Sequence, residues 1–126
     1  MPKSQAGPPV KWLDAPEDHD YPAAESYLSL LMADDAVAAS IGMLRAAPVR
    51  SFKAKDIFRA SGLSLLGVSN SHVERDLQKV RAAKALSPLL LLRDPAQGRV
   101  IVADGYHRLC AVYSIDEDAV VPCKIA

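Results

Sequence analysis

An excess of either charge is missing from this sequence. Fifteen lysines and arginines stand against fifteen aspartates and glutamates, so the formal net charge is zero with histidine neutral. A chain so balanced has no whole-surface field to draw in nucleic acid or anionic lipid, although a local basic patch is compatible with it. Cysteine is scarce too. Cys110 and Cys123 form neither a CxxC pair nor a zinc-ligand spacing, and both lie in apolar stretches, so they are expected as buried free thiols. Long apolar runs are also lacking. Leu89–Leu92 is far shorter than the ~20 residues a membrane-spanning helix needs, and Met1–Pro9 lacks the apolar stretch of a signal peptide. The expectation is a cytoplasmic protein with no membrane association.

What is present is enough apolar material for one core. Half of the 126 residues are hydrophobic, a length and composition suited to a single domain. Residues 1–21 read as a disordered or extended N-terminal arm, because Met1–Pro9 is rich in Pro, Gly and small polar residues and Asp14–Tyr21 is loop-like. Residues 22–48 read as a helical cap of two short helices. Pro22 suits a first helical position behind Asp20, and Tyr27, Leu28 and Leu31 supply its stripe. Asp34 or Asp35 caps the second helix, whose Val37, Ile41 and Leu44 recur at helical spacing before Pro48.

Residues 49–126 carry the domain proper. Val49–Ala54 reads as a strand, Lys55–Ala60 as a helical turn closed by Gly62, and Leu63–Asn70, with Gly67, as an apolar loop. Ser71 and Glu74 have the spacing of a capping box, which predicts a helix to about Ala85 that buries Val73, Leu77 and Val80, with Pro88 as the stop. Leu89–Leu92 suits a strand covered on both faces, and Asp94–Gly98 a turn into a second strand, Arg99–Ala103. A helix from about Gly105 to Ser114 and a strand at Val120–Ile125 complete the chain. The fold class is α+β (α/β), a small mixed sheet with helices.

The corner where strand becomes helix, Asp104-Gly105-Tyr106-His107-Arg108, is the candidate working surface. Asp104 is positioned as an N-cap, and Gly105 lets the chain turn sharply while leaving room for another molecule. The first amides of a helix have no intrahelical partner and carry the positive end of its dipole, which favours an anion such as phosphate. His107 and Arg108 add donors, and Arg can grip phosphate in two-pronged fashion. Cations in a first turn oppose the dipole by about 0.3–1 kcal/mol each when exposed, so their presence points to an anionic ligand, although a surface ion pair gives the same pattern.

Val100-Ile-Val-Ala-Asp-Gly-Tyr-His-Arg-Leu-Cys-Ala-Val112, followed by Val121-Pro-Cys-Lys-Ile125 and preceded by Leu86-Ser-Pro-Leu-Leu-Leu-Leu92, resembles the core of the ParB/sulfiredoxin superfamily. The resemblance covers roughly Arg50 to Ala126. It implies a small α/β domain that binds a nucleoside triphosphate, ATP or CTP, with Mg2+ as the accompanying ion. Members include CTP-dependent partition proteins, ATP-dependent sulfiredoxins and a free-serine kinase whose box, Asp-Gly-His-His-Arg, is the most similar form. Carried onto this sequence, Gly105, Tyr106, His107 and Arg108 would meet the phosphates. Asp104 would hold a metal ion or act as a base, with His107 as its catalytic companion. Sulfiredoxins carry a reactive cysteine where this chain has Tyr106, so sulfur chemistry is not expected. Partition proteins continue into a helix-turn-helix DNA reader that this sequence does not show, so sequence-specific centromere binding is not expected either.

Other residues support or compete with this reading. His72, Arg75 and Lys79 share one side of the capped helix, as phosphate contacts or as a plain solvated face. Lys53 and Lys55 are further phosphate candidates, and Asp116-Glu117-Asp118 is either a divalent-cation cluster or a solvated turn. Trp12 and Tyr21 would anchor the arm on the domain or on a second copy, making a homo-oligomer. The functions that follow are a nucleotide-binding domain with phosphotransferase or NTPase activity, or a non-catalytic module that binds DNA or a protein partner. A nuclease is the weakest reading, since no paired-carboxylate metal site is evident.

Overall fold

Four consecutive leucines set the plan of the molecule. A strand buries successive side chains only when both of its faces are covered. In the computed structural model, which describes residues 9–65 and 70–126, Leu89, Leu90, Leu91 and Leu92 are all buried. The elements in chain order are α1 (Asp20–Leu28), α2 (Asp34–Ala46), β1 (Val49–Lys53), α3 (Ala54–Ser61), α4 (Ser71–Arg81), β2 (Leu89–Asp94), β3 (Arg99–Asp104), α5 (Tyr106–Ile115) and β4 (Val120–Ile125). The strands form one mixed sheet in the order β1-β4-β2-β3, with β2 inside it, parallel to β4 and antiparallel to β3. The expected α+β architecture, a small mixed sheet with helices, is therefore observed.

The alternation of the leucines builds two layers of core. Leu89 and Leu91 pack with Ala54 and Ile57 of α3, Val80 of α4, and Leu109 and Val112 of α5. Leu90 and Leu92 face the other way, onto Tyr21, Ala24 and Leu28 of α1 and Val37, Ile41 and Leu44 of α2. Burying each such side chain is worth about 1.5–3 kcal/mol. A third, smaller cluster joins α4 to α5 through Val73, Leu77, Cys110 and Ala111. The arm before α1 is tied down by backbone: the Leu13 N–H donates to Leu86 O at 2.8 Å, and the Leu86 N–H donates to Lys11 O at 2.9 Å. Trp12 packs against the larger core, and Tyr21 is buried under the Arg45 guanidinium, 4.2 Å from its ring centroid. Trp12 thus anchors the arm on its own domain, while Tyr21 belongs to α1 and packs in the second core.

Several local expectations shift. α1 starts at Asp20, two residues before Pro22. Ala33 occupies the cap position of α2, and Asp34 and Asp35 fall inside its first turn, where acidic groups complement the dipole. Asn70 replaces Ser71 as the cap of α4, its Oδ1 accepting from the His72 and Val73 amides at 3.0 and 3.3 Å, while Glu74 accepts from Gln78. α4 stops at Arg81, well before Pro88, because Ala83 turns left-handed at φ 58°. The expected disorder of the Met1–Pro9 tail, Pro9 apart, and the part of the expected apolar loop that holds Gly67 fall on residues outside those described.

Candidate functional site

The site begins with an irregularity in the β2–β3 ladder. Leu90 pairs with Asp104 but Leu91 pairs with Val102, so Ala103 is the extra residue of a bulge that re-aims the strand end. Gly105 follows at φ +104°, where a side chain would be strained, and an added Cβ would lie 2.7 Å from Leu89 Cγ. Gly105, and not Asp104, is the cap residue of α5, and it supplies no side-chain cap. The amides of Tyr106, His107 and Arg108 therefore keep the donor character of a bare N-terminus.

Asp104 turns instead towards Arg108, whose Nη2 donates to Asp104 Oδ2 at 3.0 Å. The same guanidinium donates through Nε to Ser87 O at 3.0 Å and through Nη2 to Pro88 O at 3.4 Å. Arg108 thus fastens the segment entering β2 to the corner leaving β3, and it is largely buried, with 17% of its side chain exposed. Its Nη1 makes no hydrogen bond to the described residues. The expectation that Arg108 offers a free two-pronged grip is corrected to one partly engaged by the fold. Burial pushes the Asp104 carboxyl above the usual carboxylate range, against the opposing pull of Arg108. The Tyr106 hydroxyl donates to Ser64 O, tying the corner to the segment after α3.

α4 lies against α5 and brings its polar face to this corner. His72, Arg75, Asp76 and Lys79 on α4 face Asp104, Gly105, Tyr106, His107 and Arg108 across one cleft of about 200 Å³. Every residue expected at the corner and on the capped helix face lines this cleft. The His72 and His107 rings sit 4.7 Å apart between centroids, at 35°. Burial lowers the His107 pKa from its ordinary value, and His72 and Arg108 add to the lowering while Asp76 opposes it.

Asp76 was not anticipated. It follows His72 at the helical spacing that should have placed it on the same face, but a search for cations passes over a carboxylate. It is buried and 3.9 Å from Lys79 Nζ. Burial raises its pKa, opposed by Lys79, Arg108, His107 and Arg75. Three permanent cations therefore meet two carboxylates and two histidines in the cleft, and the α5 N-terminus adds to the positive side.

The remaining candidates lie elsewhere. Lys55 and Lys53 reach Asp118, at 2.8 and 4.0 Å, and line no part of the cleft. Asp116 accepts from the Asp118 amide at 2.9 Å, so the acidic turn is a structural element that also holds two lysines. Among the described residues no group of three or more His, Cys, Asp or Glu side chains is arranged to hold a metal ion. Cys110 and Cys123 are buried and not joined in a disulfide, and burial pushes Cys123 up to about 12. No helix among the described residues is long and apolar enough to cross a membrane. Comparison with known proteins finds no match, whether to a family model, a curated protein or a solved structure.

Proposed function

We propose that the cleft between α4 and the β3–α5 corner binds the phosphates of a nucleoside triphosphate, ATP or CTP. The observation that carries this reading is the meeting of Arg75, Lys79 and His107 with an uncapped helix N-terminus in one concave surface. Exposed cations, unfilled amides and a sharp glycine turn form a donor set suited to phosphate oxygens. The resemblance of Asp104-Gly105-Tyr106-His107-Arg108 to the box of the ParB/sulfiredoxin superfamily supports the same assignment.

In this reading Arg75, Lys79 and the α5 amides take the phosphates, and Arg108 contributes through Nη1 while its other nitrogens hold the corner rigid. Mg2+ would arrive on the phosphates and neutralise charge between them. Asp104 fits it as a single carboxylate contact, in keeping with the habit of Mg2+ of using one or two carboxylates plus phosphate. With an acceptor hydroxyl the reaction class would be phosphoryl transfer: the acceptor oxygen bonds to the terminal phosphorus as its bond to the bridging oxygen breaks and the nucleoside diphosphate leaves. Asp104, where it does not hold the ion, would take the hydroxyl proton, and the cations would stabilise the equatorial oxygens. A module that binds a protein partner is the second reading, favoured by exposed Leu30 in the turn after α1 and exposed Met43 on α2.

A thermal-shift panel of ATP, CTP, GTP and ADP, with and without magnesium, tests the assignment. A ligand at one hundred times its Kd adds about 2.7 kcal/mol of stability. Arg75 and Lys79 are exposed, so the double variant Arg75→Ala, Lys79→Ala should still melt cooperatively, at a lower temperature because buried Asp76 loses its ion-pair partner, and lose about tenfold or more in affinity. Absence of a shift with every nucleotide, with magnesium included, would remove the assignment.

A further inference from the structure

β3 ends the sheet, so its outer main chain pairs with no strand among the described residues. α1 covers the sheet face on one side of that edge and α3 the face on the other. Between them a groove follows the edge, first along Arg99–Val102 beside Tyr27, Leu31 and Leu63. It widens to about 370 Å³ where Ala23 and Tyr27 of α1 face Leu63 across Val102 and Ala103. The wide part opens into the corner, since Asp104, Gly105, Tyr106 and His107 line both the groove and the cationic cleft. Tyr27 is 42% exposed there, an aromatic ring sharing the groove with the aliphatic Ala23, Leu63, Val102 and Ala103.

We propose that this groove seats the base and sugar of the nucleotide whose phosphates occupy the cleft, with Tyr27 as the surface on which the base stacks. A ligand that fills both spaces needs an anionic end joined to a flat, weakly polar body with hydrogen-bonding edges, and a nucleotide has that form. The unpaired edge of β3 offers main-chain donors and acceptors to the rim of a base, and the face of Tyr27 offers stacking. The selecting wall belongs to α1, outside the Arg50–Ala126 region that carries the corner box. The N-terminal helix is then what sets nucleoside preference in this chain. The inference rests on the phosphate-binding reading.

Calorimetric titration of the full chain with ATP, CTP and inorganic tripolyphosphate separates the two ideas. At least one nucleotide should bind about tenfold or more tightly than tripolyphosphate, the size of one base–aromatic stack. Ala23 and Tyr27 are exposed, so Tyr27→Ala and Ala23→Trp leave the core intact, as a melting curve would verify. Both should bring nucleotide affinity down to that of tripolyphosphate, whose own affinity stays unchanged, and Tyr27→Phe should retain the preference. If tripolyphosphate binds as well as both ATP and CTP, or if Tyr27→Ala or Ala23→Trp leaves nucleotide binding unweakened, the groove assignment is overturned while the phosphate cleft stands. If neither nucleotide nor tripolyphosphate binds, both assignments fall.

Discussion

Arg108 lines the cleft and also braces the fold, and the two roles predict different losses. Its guanidinium satisfies two carbonyls and a partly buried carboxylate. Arg108→Ala should therefore destabilise the protein by about 2–4 kcal/mol, seen as a lower midpoint in urea denaturation. An unchanged midpoint would contradict the bracing role. The Asp104–Arg108 pair was legible in sequence as an i, i+4 spacing, but reading Asp104 as a helix cap hid it. His107 sets a pH dependence. Its folded pKa is lowered from the ordinary 6.5, so below about pH 6.5 the unfolded chain takes up the proton first and the free protein loses stability as pH falls. A bound polyphosphate reverses the preference by favouring imidazolium, so affinity should rise as pH falls through the same window. His107→Gln should flatten both slopes in paired melting and titration series, with wild-type slopes in the variant refuting the role.

At the level of elements, α4 ends in a way its sequence does not announce. The Lys84 N–H donates to Lys79 O at 2.9 Å and the Ala83 N–H to Val80 O at 3.0 Å, the paired bonds of a Schellman close, with alanine in the left-handed position that glycine usually fills. Ala83→Gly relieves that conformation at the cost of a freer unfolded chain, and a net gain of about 0.5–1 kcal/mol in thermal or urea unfolding is expected. The helix start was ambiguous for a related reason. Asn70 and Ser71 are both good caps, and Asn70 takes the position because its own backbone is extended while that of Ser71 is already helical. By contrast β2, β3 and β4 fell close to their expected limits, because turn residues and an unbroken apolar run mark them locally.

For the whole molecule, α1 and α2 act as one wall of a common core with the sheet. Removing residues 1–47 would bare Leu90, Leu92 and Ala103, and the remaining chain should lose its cooperative melting transition and bind a hydrophobic dye. A sharp melt in the shortened chain would show that the helices are an appendage. Periodicity, turns and glycine geometry act within a few neighbouring residues, so the α+β class, the two-faced burial of β2 and the residue types at the corner were legible along the chain. Tertiary structure alone decided that Arg75, Asp76 and Lys79 meet Gly105 and His107, that Arg108 is braced, and that α1 walls a groove beside β3. Those outcomes depend on Val73 and Leu77 packing against Cys110 and Ala111, and on Leu28 and Leu44 packing against Leu90 and Leu92. Hydrophobic burial between distant segments is non-directional, so it leaves no spacing in the chain from which such a meeting could be read.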